Sequence, residues 1–361
     1  MKLAIEIWRI RPDALKLTAN WVRHAERLGV AMAFSAEAWW SDAATPLAYL
    51  ADKTSRIKLG TGIMQISARA PAMTAMTALT LHDMSDGRFV LGLGVSGPQV
   101  VEGLHGTPYS PPLTRLRETV EICRLIFAGE KVRYDGKAFQ LPLPDSEGKA
   151  IRIDHAPVDI PIYLATLGPN SLRYTGAAAD GWLGTSFSPD HAHAHLDHIR
   201  DGATKAGRTL EDLDLCVSAR IEIGDDVDAM IEKRKPAVAF NMGGMGSAKT
   251  NFYNDAFKRA GFEEDARAIQ SLWLAGNRDE AAARVPASMV TDFQILGTRD
   301  MARERLRKYR DAGVTTLKLG LDGAGPLGPK RFELLESVVE LVEDIRTDPT
   351  QENATGGNSS L

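Results

Sequence analysis

Cysteine is almost missing from this chain: 361 residues carry two, Cys123 and Cys216. Cys123 falls in the apolar rhythm of a helix and Cys216 in a strand-like run, so both read as buried thiols. That usage fits a reducing cytoplasm. An excess of charge is missing too. The formal net charge is −4, and no dense Lys/Arg stripe stands out, so there is no electrostatic case for a nucleic-acid partner. No apolar run reaches the ~20 residues of a membrane span, which argues against a membrane partner. The opening MKLAIEIWRI lacks an apolar h-region before a cleavage site. It reads as a strand, which argues against secretion.

What is present is alternation. With 44% apolar and 25% charged residues, the chain can bury a sizeable core. Short apolar strands are expected at residues 3–8, 32–35, 57–63, 89–95, 161–165, 182–185, 213–223 and 315–321. Helical periodicity is expected at 12–28, 45–54, 71–84, 113–127, 169–179, 191–206, 299–312 and 329–345. Asp135-Gly136, between two alternating runs, signals a β-hairpin. Eight βα units in one domain favour an α/β fold of the (β/α)8 barrel class over a doubly wound open sheet. The expected organisation is one domain over 1–345, with insertions at about 130–160 and 241–296, and a loose polar tail at 346–361.

One stretch argues for a different fold. Residues 88–97 read RFVLGLGVSG, a G-x-G-x-x-G directly after a strand and thus the mark of a dinucleotide-binding loop. Such a loop should open a helix and be followed ~20 residues later by an acid at the end of the next strand. Here the continuation holds Pro98, Pro108, Pro111 and Pro112 and reads as a loop. The acid at the right distance, Glu118, sits in the helical RLRETVEICRLIF and cannot clamp a ribose. What survives is that glycines at a strand's C-terminal end let backbone approach a ligand closely.

In a barrel those strand ends build the site. Strand two ends near Glu37, followed by Ala38, Trp39 and Trp40. Strand three ends at Gly62, Ile63, Met64 and Gln65, and strand four at Val95, Ser96 and Gly97. Strand five ends at Leu167 and Gly168, strand six at Thr185 and Ser186. No Cys nucleophile, G-x-S-x-G elbow or metal spacing appears among them. Glycine, tryptophan and apolar residues suit a large flat ring that brings its own chemistry. Glu37 reads as a pocket carboxylate, against the alternative of a cap on the next helix. Trp39 and Trp40 read either as a substrate wall or as cover for the mouth. Gly168-Pro169-Asn170 reads as a turn whose amides could receive a phosphate. In SPDHAHAHLDHIRDG, His191, His195 and His198 share a helical face, yet no acid pair accompanies them. They read as a solvated face, and no metal is expected.

The stretches TPLAYLADKTSRIKLGTGIMQISARAPAMTAMTALTLHDMSDGRFVLGLGVSGPQVVEGLHG, PIYLATLGPNSLRYTGAAADGWL, GGMGSAKTNFYND and DAGVTTLKLGL resemble the luciferase-like monooxygenase superfamily. Within it they resemble the branch of coenzyme F420-dependent oxidoreductases, such as methylenetetrahydromethanopterin reductase. The resemblance implies a (β/α)8 barrel, a homodimer, and a cofactor ring at the strand C-terminal ends. It implies a non-prolyl cis peptide at Gly62–Ile63 behind that ring. It places Glu37 beside the ring, Val95, Ser96 and Gly97 against it, Leu167 and Gly168 at the phosphate, and Thr185 in the pocket. Ala38 departs from relatives that carry His there, so Trp39 could fill that space. The segment TSFSPD has no basic residue after the strand-six Thr, which argues against a sugar phosphate.

The leading expectation is therefore an F420-dependent oxidoreductase, cytoplasmic, moving a hydride between deazaflavin C5 and a small organic substrate. Reduction of an activated C=C or C=N bond is the expected reaction. Catalytic contacts fall on Glu37, Trp39 and Thr185; cofactor contacts fall on Glu37, Gly62, Ile63, Val95, Ser96, Gly97, Leu167 and Gly168. The alternative is an FMN-dependent monooxygenase of the same superfamily, and a third reading is a non-catalytic cofactor-binding protein.

Overall fold

A computed structural model describes residues 1–7, 14–246, 250–325 and 327–346. Trp8 and Pro12, placed above in the first strand and first helix, lie outside the described residues, as does the tail from 347 onward. The elements in chain order are β1 (Lys2–Ile7), α1 (Leu15–Arg27), β2 (Met32–Ser35), α2 (Ala44–Ala51), β3 (Lys58–Thr61), β4 (Met64–Gln65), α3 (Pro71–Met84) and β5 (Phe89–Gly94). Then follow α4 (Pro98–Val101), α5 (Pro112–Phe127), β6 (Tyr134–Asp135), β7 (Gln140–Leu141), β8 (Ile162–Ala165), α6 (Pro169–Ala178), β9 (Gly181–Gly184), α7 (His193–Lys205) and β10 (Asp214–Ile223). The last part holds α8 (Val227–Gly243), α9 (Phe252–Phe257), α10 (Glu263–Leu274), α11 (Arg278–Ala283), α12 (Ser288–Thr291), β11 (Ile295–Gly297), α13 (Arg299–Asp311), β12 (Thr316–Gly320) and α14 (Pro329–Asp344). Eight parallel βα units make the fold class the (β/α)8 barrel.

The chain divides into two compact units. One holds residues 6–183 and 198–213; the other holds 1–5, 184–197 and everything from 214 on. In the first, β2, β3, β5, β8 and β9 pair in that order, all parallel, and β4 adds to β5. Helix α1 buries Trp21, Val22 and Ala25 on one stripe. It stops where Gly29 takes φ +79 and the Val30 amide returns to the Ala25 carbonyl, a C-cap that glycine makes at no steric cost. At the strands' N-terminal ends, one oxygen of Glu26 accepts from the amides of Ser55, Arg56 and Ile57 at 2.7–3.0 Å. The Arg88 guanidinium reaches the carbonyls of Ala51, Thr54 and Ile57 there. These fixed polar ties position β3 and β5, whose other ends carry the candidate residues.

Two glycines of GLGVSG are explained by packing. A Cβ on Gly92 would sit 1.8 Å from the Thr61 carbonyl oxygen. The Thr61 hydroxyl also donates to the Gly92 carbonyl and accepts from its amide, both at 2.8 Å. A Cβ on Gly94 would come within 2.9 Å of Ile63 Cδ1. Both glycines admit a neighbouring strand. The proline-rich stretch after them is not wholly loop. It begins with the single helical turn α4, because Pro98 sits at the first helical position, where its missing amide costs nothing.

Glu118, the acid that motif spacing singles out, is buried on α5. Its carboxylate accepts from the amides of Lys137, Ala138 and Phe139 at 2.8–2.9 Å. It holds the turn of the β6–β7 hairpin, which forms at Asp135-Gly136.

In the second unit, β1 pairs β12, β12 pairs β10, and β10 pairs β11, all parallel. Strand β11 has no counterpart in the sequence reading; three residues are too short for a period to show. Helices α8 to α12 bury their own apolar cluster, including Met242, Phe257, Ile269, Val290 and Phe293. The Asn254 side chain closes it, donating to the carbonyls of Met242 and Ala266. No helix among the described residues is long and apolar enough to cross a membrane. Cys123 and Cys216 are both buried and neither is in a disulfide, and burial pushes the Cys123 thiol up to about 12.

Gly92→Ala forces a methyl group into strand backbone, where no flexible side chain can yield. It should destabilise by about 3 kcal/mol or more, at the upper end for overpacking. Urea denaturation measures this, and an unchanged midpoint contradicts the packing account.

Candidate functional site

The candidate residues of the first unit gather at the C-terminal ends of adjacent strands. Because β3, β5 and β8 are hydrogen-bonded neighbours, the residues that follow them are neighbours too. Gly62 and Ile63 lie between β3 and β4, Val95, Ser96 and Gly97 follow β5, and Leu167 and Gly168 follow β8. All seven are half-buried. The peptide bond Gly62–Ile63 is cis, as the resemblance implied. The strand expected over 57–63 stops at Thr61, and the chain resumes strand structure as β4 at Met64. Ser96 takes φ +60, uncommon for a residue with a side chain and frequent where backbone is held for a ligand.

The break between β3 and β4 is bound to the end of β2. The Gly62 amide donates to the Ser35 carbonyl at 2.7 Å, and the Glu37 amide donates to the Ile63 carbonyl at 3.1 Å. The Glu37 carboxylate is itself an organising centre. Its Oε1 accepts from the Gln65 amide at 2.7 Å and from Arg69 Nη1 at 2.6 Å. Its Oε2 accepts from Arg69 Nη2 at 3.0 Å and from the Ala43 amide at 3.1 Å. Arg69 was not among the sequence candidates. It lies 32 residues from Glu37, and no local pattern links them. Gln65 was named only as part of a strand end. Its side-chain amide donates to the Glu37 carbonyl at 3.2 Å, while its Oε1 is buried with no partner.

At the start of α6, Gly168 is an extended N-cap and Pro169 fills the first helical position. The first intrahelical bond runs from the Leu172 amide to the Gly168 carbonyl at 2.9 Å. The amides of Asn170 and Ser171 precede it and have no intrahelical acceptor. Together with the helix dipole they form an anion-receiving end.

Trp39 is 59% exposed, with Trp40 edge-on to it at 5.4 Å between ring centroids. Thr185 belongs to the other unit, as the residue after β9. The histidines divide. His191 stacks on Phe293 and pairs with Asp292 at 3.3 Å, and His193 is exposed. His195 is 1% exposed and packs near Phe187, so the solvated-face reading fails for it. Among the described residues, no three His, Cys, Asp or Glu side chains group as a metal site would require.

A model of luciferase-like monooxygenases matches residues 6–316. The chain belongs to the luciferase-like monooxygenase family. Within that family it is 39% identical over 328 residues to a Mycobacterium tuberculosis protein named as a coenzyme F420-dependent oxidoreductase, covering 88% of this chain and 94% of that one. It is 31% identical over 297 residues to 5,10-methylenetetrahydromethanopterin reductase of Archaeoglobus fulgidus, covering 81% and 84%. The structure of the coenzyme F420-dependent tetrahydromethanopterin reductase of Methanopyrus kandleri superposes with a TM-score of 0.75 at 28% identity, covering 95% of this chain and 98% of that one.

Proposed function

We propose that this protein is an enzyme, an F420-dependent oxidoreductase that reduces an activated C=C or C=N bond in a small organic substrate. The observation that carries this reading is the run of half-buried backbone at three adjacent strand ends, beside a helix N-terminus able to receive phosphate. The residues present fit a flat ring bearing a phosphorylated tail. A buried acceptor without a donor, Gln65 Oε1, stands beside the break between β3 and β4. Bound there, the deazaflavin would supply a hydride at C5 and react little with dioxygen.

The chain supplies shape and placement. Gly62 and Ile63 would back the ring, Val95, Ser96 and Gly97 would hold it, and Leu167 and Gly168 with the amides of Asn170 and Ser171 would hold its phosphate. Trp39 walls the substrate, and Thr185 is the candidate of its own unit for a substrate contact. The relatives named as F420-dependent oxidoreductase and as reductase support the cofactor and the reductive direction. A cytoplasmic location fits the two reduced cysteines. A homodimer is supported by the first three turns of the outer face of α3, where Met73 and Met76 are exposed beside Thr77 and Thr80. Sedimentation equilibrium should give twice the chain mass; a monomer contradicts it.

Spectroscopic titration of the purified chain with F420 and, separately, with FMN tests the cofactor. Saturable binding of F420 and weak or absent binding of FMN is expected. Tight FMN binding without affinity for F420 overturns the reading in favour of a flavin monooxygenase. A screen of unsaturated carbonyl compounds and imines with reduced F420 then identifies the substrate class.

A further inference from the structure

We propose that Glu37 and Arg69 are a positioning pair, and that the Glu37 carboxylate shapes the cofactor site without carrying a proton in turnover. The inference rests on the cofactor reading above and deepens it.

An ionised carboxylate has two oxygens and about four lone-pair sites. In Glu37 four donors occupy them: the Gln65 amide and Arg69 Nη1 on Oε1, and the Ala43 amide and Arg69 Nη2 on Oε2, all between 2.6 and 3.1 Å. The side chains are 7% and 18% exposed for Glu37 and Arg69. A general base needs an open lone pair within hydrogen-bond reach of the proton it takes. Glu37 has none to offer, and protonating it would break a two-pronged, charge-assisted contact.

The same bonds show what the pair does. Glu37 ends the segment after β2, Gln65 ends β4, Arg69 leads into α3, and Ala43 precedes α2. One carboxylate therefore ties the end of β4 and the approach to α3 to the connection between β2 and α2, whose two ends it also joins. Two of the four bonds that tie residues 62–65 to residues 35–37 end on Glu37 itself through backbone, and a third ends on its carboxylate. The bond to Ala43 also closes the base of the loop that presents Trp39 and Trp40. Buried ion pairs of this kind contribute more to a defined geometry than to net stability. Here that geometry is the backbone against which the ring would lie.

The test uses the full chain with Arg69→Gln, Arg69→Lys, Glu37→Gln and the double variant Glu37→Gln/Arg69→Gln. Two measurements are made on each: hydrogen exchange of the 62–66 segment without cofactor, and affinity for F420. Exchange at 62–66 should rise about tenfold in Arg69→Gln, the size of one lost charge-assisted hydrogen bond, while β10 exchange stays unchanged. F420 affinity should fall by about the same factor in each single variant, and the double variant should lose no more than either, since both act through one contact. Arg69→Lys, which keeps the charge and one prong, should recover part of both and serves where Arg69→Gln fails to fold. Unchanged exchange and affinity in Arg69→Gln, with a loss confined to Glu37→Gln, would overturn the proposal by giving Glu37 a direct role. A wild type that binds no F420, but whose 62–66 exchange rises in Arg69→Gln, keeps the positioning pair and sinks the cofactor reading instead.

Discussion

Glu37 accepts hydrogen bonds from four donors, and the candidate site is built around that fact. Strand three of a parallel sheet would ordinarily run straight to its end. In this chain it breaks at Gly62–Ile63, and the amide of Gln65 on the far side of the break needs an acceptor. The carboxylate at the end of strand two supplies it, and Arg69 neutralises the charge that burial would otherwise make costly. Removing either partner leaves a buried group unmatched, so the two side chains and the broken strand form one unit. The residues proposed to meet the cofactor follow the strands beyond it: Val95, Ser96 and Gly97 come after β5, and Leu167 and Gly168 after β8.

The glycines of RFVLGLGVSG show how one pattern can arise from two causes. In a dinucleotide loop, glycine lets backbone approach a pyrophosphate. In this fold, Gly92 lets the Thr61 carbonyl come close and Gly94 makes room for Ile63, while Gly97 meets only the Gln99 side chain. The first two serve strand packing. The distant acid that completed the false motif, Glu118, holds three amides of a hairpin turn.

Local periodicity carried most of the fold. Helix α3 and strand β2 lie on the residues expected of them, since an Ala- and Met-rich run opened by Pro71 and a short apolar run are properties of the segment itself. What depends on partners far along the chain was not legible. The Glu37–Arg69 pair spans 32 residues, and its geometry appears only once the segments that follow β2 and β4 meet. Glu37 was legible from its strand-end position, but the four donors around its carboxylate were not. His195 was misread for the same reason: its face of α7 is polar by composition and buried by packing. The cis bond at Gly62–Ile63 carries no local signal and came only through family resemblance.

A crystal structure of the chain with F420 tests the central claim most directly. The account predicts the deazaflavin ring against Gly62 and Ile63, with its phosphate on the amides of Asn170 and Ser171 and the Glu37–Arg69 contact intact beneath it. A ring bound away from the Gly62–Ile63 break, or a Glu37 carboxylate that leaves Arg69 to bond the ligand, would contradict it.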